Sequence, residues 1–167
     1  IQQDVARSLA NITANEENHV PAFEQGALNC LVALTNSSDE VCQRYAAMGL
    51  RFLSSNAMVR VEIVRQGLLQ PFLHLAQSPI LDFQRTAGAA FSSFSLNQAN
   101  KSRLVKEGAL AQILSCMRYK DLEVQRDCSF ALANIADSFR TFLSLAEQQS
   151  SALQDRVVPK VFAQAVL

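Results

Sequence analysis

The chain has 167 residues, of which 49% are hydrophobic and 18% charged, with 15 Lys plus Arg set against 15 Asp plus Glu. That balance gives no global field to draw in nucleic acid or an anionic membrane, so any charge preference must come from placement on one face. No stretch reaches the ~18 apolar residues of a membrane span. There is also no phosphate loop, nucleophile elbow or metal-spaced His/Cys set, so no catalytic, cofactor or metal site is expected.

Residues 1–14 read as a helix with Ile1, Val5, Leu9 and Ile12 on one buried face. After them a phrase recurs every 41 residues. Gly26, Gly67 and Gly108 share this spacing, as do Gln43-Arg44, Gln84-Arg85 and Gln125-Arg126. A period of this size suits stacked helical units of about 40–47 residues, and excludes the shorter tetratricopeptide and ankyrin types. The spacing predicts three-helix repeats over 15–55, 56–96 and 97–137.

In the middle repeat a first helix is expected over 57–66, with Met58, Val61 and Val64 apolar and Gly67 turning the chain. A second helix follows over 68–77 and a third over 79–96. Ser78 and Pro79 supply the entry signal of that third helix, and Ser38-Asp39-Glu40 the corresponding one in the preceding repeat. The third helices carry the strongest amphipathic pattern. Their expected buried sets are Cys42, Ala46, Gly49, Leu50 and Leu53; Phe83, Ala87, Ala90, Phe91 and Phe94; and Val124, Cys128, Ala131, Leu132 and Ile135.

Residues 138–167 read as a partial repeat with a seven-residue insertion. Gln149 stands where the period calls for glycine. Val157–Phe162 matches Leu68–Leu73 only once the insertion is allowed, which puts Arg156 at the glycine position and an altered first helix with an extra loop in 138–156. Cys30, Cys42, Cys116 and Cys128 each fall in an apolar helical pattern, and are expected as buried free thiols of a reducing compartment. The chain opens and closes inside helical patterns, and so reads as an excerpt of a longer array. Self-association through uncapped ends is an expected alternative contact.

Three phrases carry a family resemblance: Gly-Ala-Leu after the first helix, Val124-Gln125-Arg126 opening a third, and Phe130-Ala-Leu-Ala-Asn-Ile-Ala136 within it. Together they resemble the armadillo family, in wording closest to vacuolar-scaffold and β-catenin-like members. The resemblance implies an all-α, right-handed superhelix whose third helices line a concave groove for extended peptide segments. Importin-α members carry a ladder of Trp and Asn in that groove. Here the Trp positions hold Arg7, Met48, Ala89 and Phe130, and the Asn positions Asn11, Phe52, Ser93 and Asn134. With no Trp and two of four Asn, nuclear-localisation-signal binding is not expected.

The predicted groove begins with a row of Gln3, Arg44, Arg85 and Arg126, flanked by Asp4, Tyr45, Thr86 and Asp127. Packed helices stand about 8–10 Å apart and an extended peptide advances about 3.3 Å per residue, so the arginines would meet every third residue or so of a bound strand. Guanidinium forks suit carboxylate or phosphate, while Tyr45, Met48, Phe52 and Phe130 offer apolar anchors. The expectation is a cytoplasmic scaffold for acidic or phosphorylated peptides of partner proteins, without nucleic acid or direct membrane contact. A competing reading has the arginines bind neighbouring acids and hold the stack together. Alternative roles are a structural module of a larger cytoskeletal or axonemal assembly, or a regulatory domain of a longer protein.

Overall fold

A computed structural model describes residues 1–149, all helices and turns. The helices are α1 (Gln2–Thr13), α2 (His19–Glu24), α3 (Ala27–Leu34), α4 (Glu40–Ser55), α5 (Ala57–Arg65), α6 (Gln70–Gln77), α7 (Leu81–Ser95), α8 (Gln98–Lys106), α9 (Ala109–Cys116) and α10 (Leu122–Gln149), with a 3₁₀ turn at Glu16–Asn18. The long helices α1, α4, α7 and α10 pack side by side in one layer. Behind them α2, α5 and α8 form a second row, and α6 packs on α9.

Three punctuation marks recur at the same offset. Asn15, Asn56 and Asn97 accept backbone N–H groups at the entry to the first helical segment of each unit. Gly26, Gly67 and Gly108 follow with φ of +83°, +73° and +87°, a left-handed turn open to glycine without steric cost. Next, the side-chain amides of Gln43, Gln84 and Gln125 each donate to a carbonyl six residues back, at Ser37, Ser78 and Tyr119. The glutamine of each Gln-Arg pair thus ties down its own turn.

The core runs continuously along the stack. Of the expected third-helix residues all are buried except Leu132, which is half-buried against the core. Polar side chains stitch one unit to the carbonyls of the unit before it: Thr86 to Ala47, Ser93 to Ser54, Asn100 to Arg60 and Arg103 to Val64. Each bond offsets the desolvation of a buried carbonyl and fixes the stacking register.

Several expectations need correction. In α1 the buried residues are Ala6, Ala10 and Thr13, while Ile1, Val5 and Ile12 are exposed. α1 packs chiefly on α4, with α2 and α3 touching it less, and its small residues Ala6 and Ala10 are the ones buried. In α5, Val59 and Ile63 point inward with Val64, and Met58 is largely exposed. Cys30 is exposed, because α3 buries Ala27, Leu28 and Leu31 on the opposite side. α7 starts at Leu81, two residues beyond Pro79. The Ser78 hydroxyl instead accepts the Ile80 N–H and shapes the preceding turn. The cap of α4 is Asp39, not Ser38. Finally, α10 continues unbroken past 137 to Gln149, where Ser138 replaces the asparagine that punctuates the other units. The expected glycine substitute Arg156 and the segment Val157–Phe162 lie outside the described residues.

Two capping acids make the fold sensitive to acid. Asp39 accepts the Cys42 amide and the Gln3 side-chain amide, which together hold its carboxyl below the usual aspartate range. Asp121 is lowered first by the Arg85 guanidinium and then by the Val124 amide. Both folded values lie below the unfolded ones, so their stabilisation is present at neutral pH and lost as pH falls through the folded values. The melting temperature should therefore fall as pH drops below about 4. In Asp39→Asn/Asp121→Asn the slope of melting temperature against pH should flatten; a slope equal to wild type would show that other carboxylates govern it.

Candidate functional site

The exposed edge of the α1–α4–α7–α10 layer holds the predicted groove residues. In the first row, Gln3 is tied to Asp39 at 2.6 Å. Arg44 places Nε 3.3 Å from Asp82 of the next long helix, and its side chain remains 73% exposed. Arg85 lies 2.7 Å from Asp121 and 3.3 Å from Glu123. Arg126 turns onto its neighbour Asp127 at 2.8 Å and stays 69% exposed. Arg44 and Arg85 therefore both reach forward to acids at the start of the next long helix. The repeat-bridging role is formed, and any incoming anion must compete with it.

The Trp-ladder positions are more open. Arg7 stacks over the Tyr45 ring, 5.4 Å from its centroid. Met48 and Phe130 are exposed, Phe52 and Ala89 half-buried. Of the Asn-ladder positions Asn11, Phe52, Ser93 and Asn134, Asn11 alone is exposed. Ser93 is buried, its hydroxyl donating to the Ser54 carbonyl at 2.6 Å, so it stitches helices rather than lining a groove. Thr86 is likewise buried against Ala47. Asn134 is half-buried and donates to the Ser95 hydroxyl at 3.0 Å. A bound chain would meet arginines and apolar anchors, with few free amides.

Sequence reasoning missed Arg51, Asp82 and Glu123. Arg51 of α4 reaches beyond α7 and donates to the Glu123 carboxylate of α10. Arg44, Arg51, Arg85 and Asp82 line a depression of about 260 Å³ together with Ala47, Met48 and Thr86. The signal was available: Asp82 and Glu123 stand three residues before Arg85 and Arg126, so α7 and α10 each open with an acid beside the arginine of the long helix before.

Among the described residues no His, Cys, Asp and Glu group is arranged to hold a metal ion, and no helix is long and apolar enough to cross a membrane. His19 is buried with Nε2 2.7 Å from the Thr13 carbonyl, whereas His74 is exposed on α6. Cys128 is fully buried. Its thiol is pushed well up by a hydrogen bond with Cys116 and by burial, so it retains its proton and is a poor nucleophile.

Neither a protein-family model nor a curated protein matches the sequence. Solved structures do. One of the computationally designed armadillo repeat proteins for modular peptide recognition superposes with a TM-score of 0.71 at 23% identity, over 85% of this chain and 63% of that one. A designed armadillo repeat protein in complex with the peptide (KR)4 gives 0.70 at 21% identity, over 98% of this chain and 72% of that one. An engineered protein gives 0.68 at 29% identity, over 80% and 57%. The chain thus spans about three fifths of the length of several structures it resembles.

Proposed function

The chain has the armadillo repeat fold, and from that premise we propose that it is a scaffold binding extended peptide segments of other proteins along the α1–α4–α7–α10 face. The observation that carries this reading is one surface where exposed arginines alternate with exposed apolar side chains: Arg44 and Arg126 beside Met48 and Phe130. The designed neighbour that holds a (KR)4 peptide supports peptide occupancy of this fold. Its ligand is basic, however, whereas Arg7, Arg44, Arg85 and Arg126 favour acidic or phosphorylated peptides here.

The finer, anionic preference works against a cost. Asp82, Asp121, Glu123 and Asp127 already neutralise three of these arginines. The preference therefore has to be salt-sensitive and moderate, as exposed ion pairs are. A second reading rests on a separate observation, the exposed Val5 and Ile12 of α1. An uncovered apolar helix face suits a structural module that stacks on further repeats or on another copy.

A peptide array of acidic, phosphorylated, neutral and basic segments, probed at low and high salt, tests the proposal. Acidic or phosphorylated peptides should bind, more weakly at high salt, and more weakly again to Arg44→Ser/Arg126→Ser. These two positions are chosen because, of Arg44, Arg85 and Arg126, theirs are the most exposed arginine side chains. Absence of binding to every class by the folded protein would move the reading to the structural module.

A further inference from the structure

We infer that Glu123 is an internal stand-in for ligand: it fills an anion subsite over α4 and α7 that a carboxylate or phosphate side chain of a bound peptide takes over. This rests on the peptide-binding reading above and adds the position and chemistry of one contact. Three guanidiniums, of Arg44, Arg51 and Arg85, line the same 260 Å³ depression, and Asp82 is the one acid among its lining residues. Arg44 answers Asp82 at 3.3 Å. Arg51 and Arg85 are left sharing Glu123, which reaches them from α10 without lining the depression itself.

The two arginines differ in what they lose when Glu123 leaves. Arg85 keeps Asp121 at 2.7 Å, so its position is secure. Arg51 forms its ion pair with Glu123, so departure frees a guanidinium fork at the lip of the depression. Glu123 is also dispensable to its own helix. The Asp121 carboxylate takes the Val124 N–H and caps α10, whereas among the described residues the Glu123 carboxylate pairs with Arg51 and Arg85. It can swing aside without unwinding the first turn.

Both sides of the Arg51–Glu123 pair are partly solvated, with the arginine side chain 41% and the glutamate side chain 27% exposed. A pair of this kind is weak, so exchange for an external anion costs little. The depression has room for that anion because Ala47 and Thr86 line it, and Met48 gives the adjacent peptide residue an apolar contact. The subsite reads one anionic side chain of an extended strand, not its backbone.

The test uses the whole chain and fluorescently labelled peptides of repeating Glu-Ala-Leu, phosphoserine-Ala-Leu and Gln-Ala-Leu, with affinity read by anisotropy. Removing the stand-in by Glu123→Gln should tighten binding of the glutamate and phosphoserine peptides about two- to fivefold and leave the glutamine peptide unchanged. Which anionic peptide gains more tells carboxylate from phosphate as the preferred occupant. The gain should vanish in Glu123→Gln/Arg51→Met. If Glu123→Gln does not fold, Arg51→Met alone decides: it should weaken the anionic peptides and spare the neutral one.

Equal or weaker anionic binding by folded Glu123→Gln, while wild type binds, overturns the stand-in and leaves peptide binding intact. No binding of any peptide to either protein overturns both.

Discussion

Phe72→Ala should destabilise the protein by about 3–5 kcal/mol, measured as a shift in the urea unfolding midpoint. Phe72 on α6 is fully buried and meets Phe94 of α7 edge-on, with ring centroids 5.1 Å apart and planes at 90°. Truncation removes the buried ring, opens a cavity between two helices of one unit, and loses an aromatic pair worth about 0.5–1.5 kcal/mol beyond its area. His74, two residues along the same helix and exposed, supplies the control. His74→Ala should change stability by no more than about 0.5 kcal/mol. If the two substitutions cost the same, the core is not centred on this ring pair.

Two glycines should respond to alanine with opposite signs. A Cβ at Gly49 of α4 would lie 2.8 and 2.9 Å from the Leu31 methyls and 3.4 Å from the Thr13 hydroxyl. Leu31 is fully buried, so the clash cannot be relieved into solvent. Overpacking of this kind costs about 1–3 kcal/mol, more than the ~1 kcal/mol that alanine gains over glycine in a helix. Gly49→Ala should therefore destabilise. At Gly88 of α7 the nearest atoms lie 3.7 Å from the added carbon, an ordinary contact. There the helix term is unopposed, and Gly88→Ala should stabilise by about 0.5–1 kcal/mol. Melting curves of the two variants check both signs; a stabilised Gly49→Ala would mean that Leu31 has room to move.

What could be read from the sequence was what repeats. The faces of α4, α7 and α10 were legible because each buries an uninterrupted helical stripe, from Phe83 to Phe94 in the clearest instance. The glycine turns were legible because only glycine sits easily at φ near +80°. The face of α1 was not, because its stripe matches that of the inner copies while its neighbours do not. A periodic pattern reports what a helix could bury, not whether a partner is there. Met58 and Val59 show the same limit at shorter range: a nine-residue helix with apolar residues on several sides leaves its rotation to packing.

At the candidate site, the arginine row was visible and pairing with neighbouring acids was one of two readings, but which acids would answer was not legible. Asp82, Asp121 and Glu123 belong to a later unit than the arginines they answer, and single-helix reasoning stops at the end of the helix. Ser93 failed for a related reason. Its row faces the groove by angle, but its short hydroxyl finds the Ser54 carbonyl first.

Arg51 and Glu123 stand 72 residues apart, on helices separated by α7. In a stack whose units touch only their neighbours, an end unit frays independently of all but the next. A tie that skips one unit acts as a chord across an arc. Loosening the start of α10 removes a support from α4 directly, without first passing through α7. Because both side chains are partly solvated, the chord is weak and exchangeable: it links α4 to α10 across α7 without fixing how they sit.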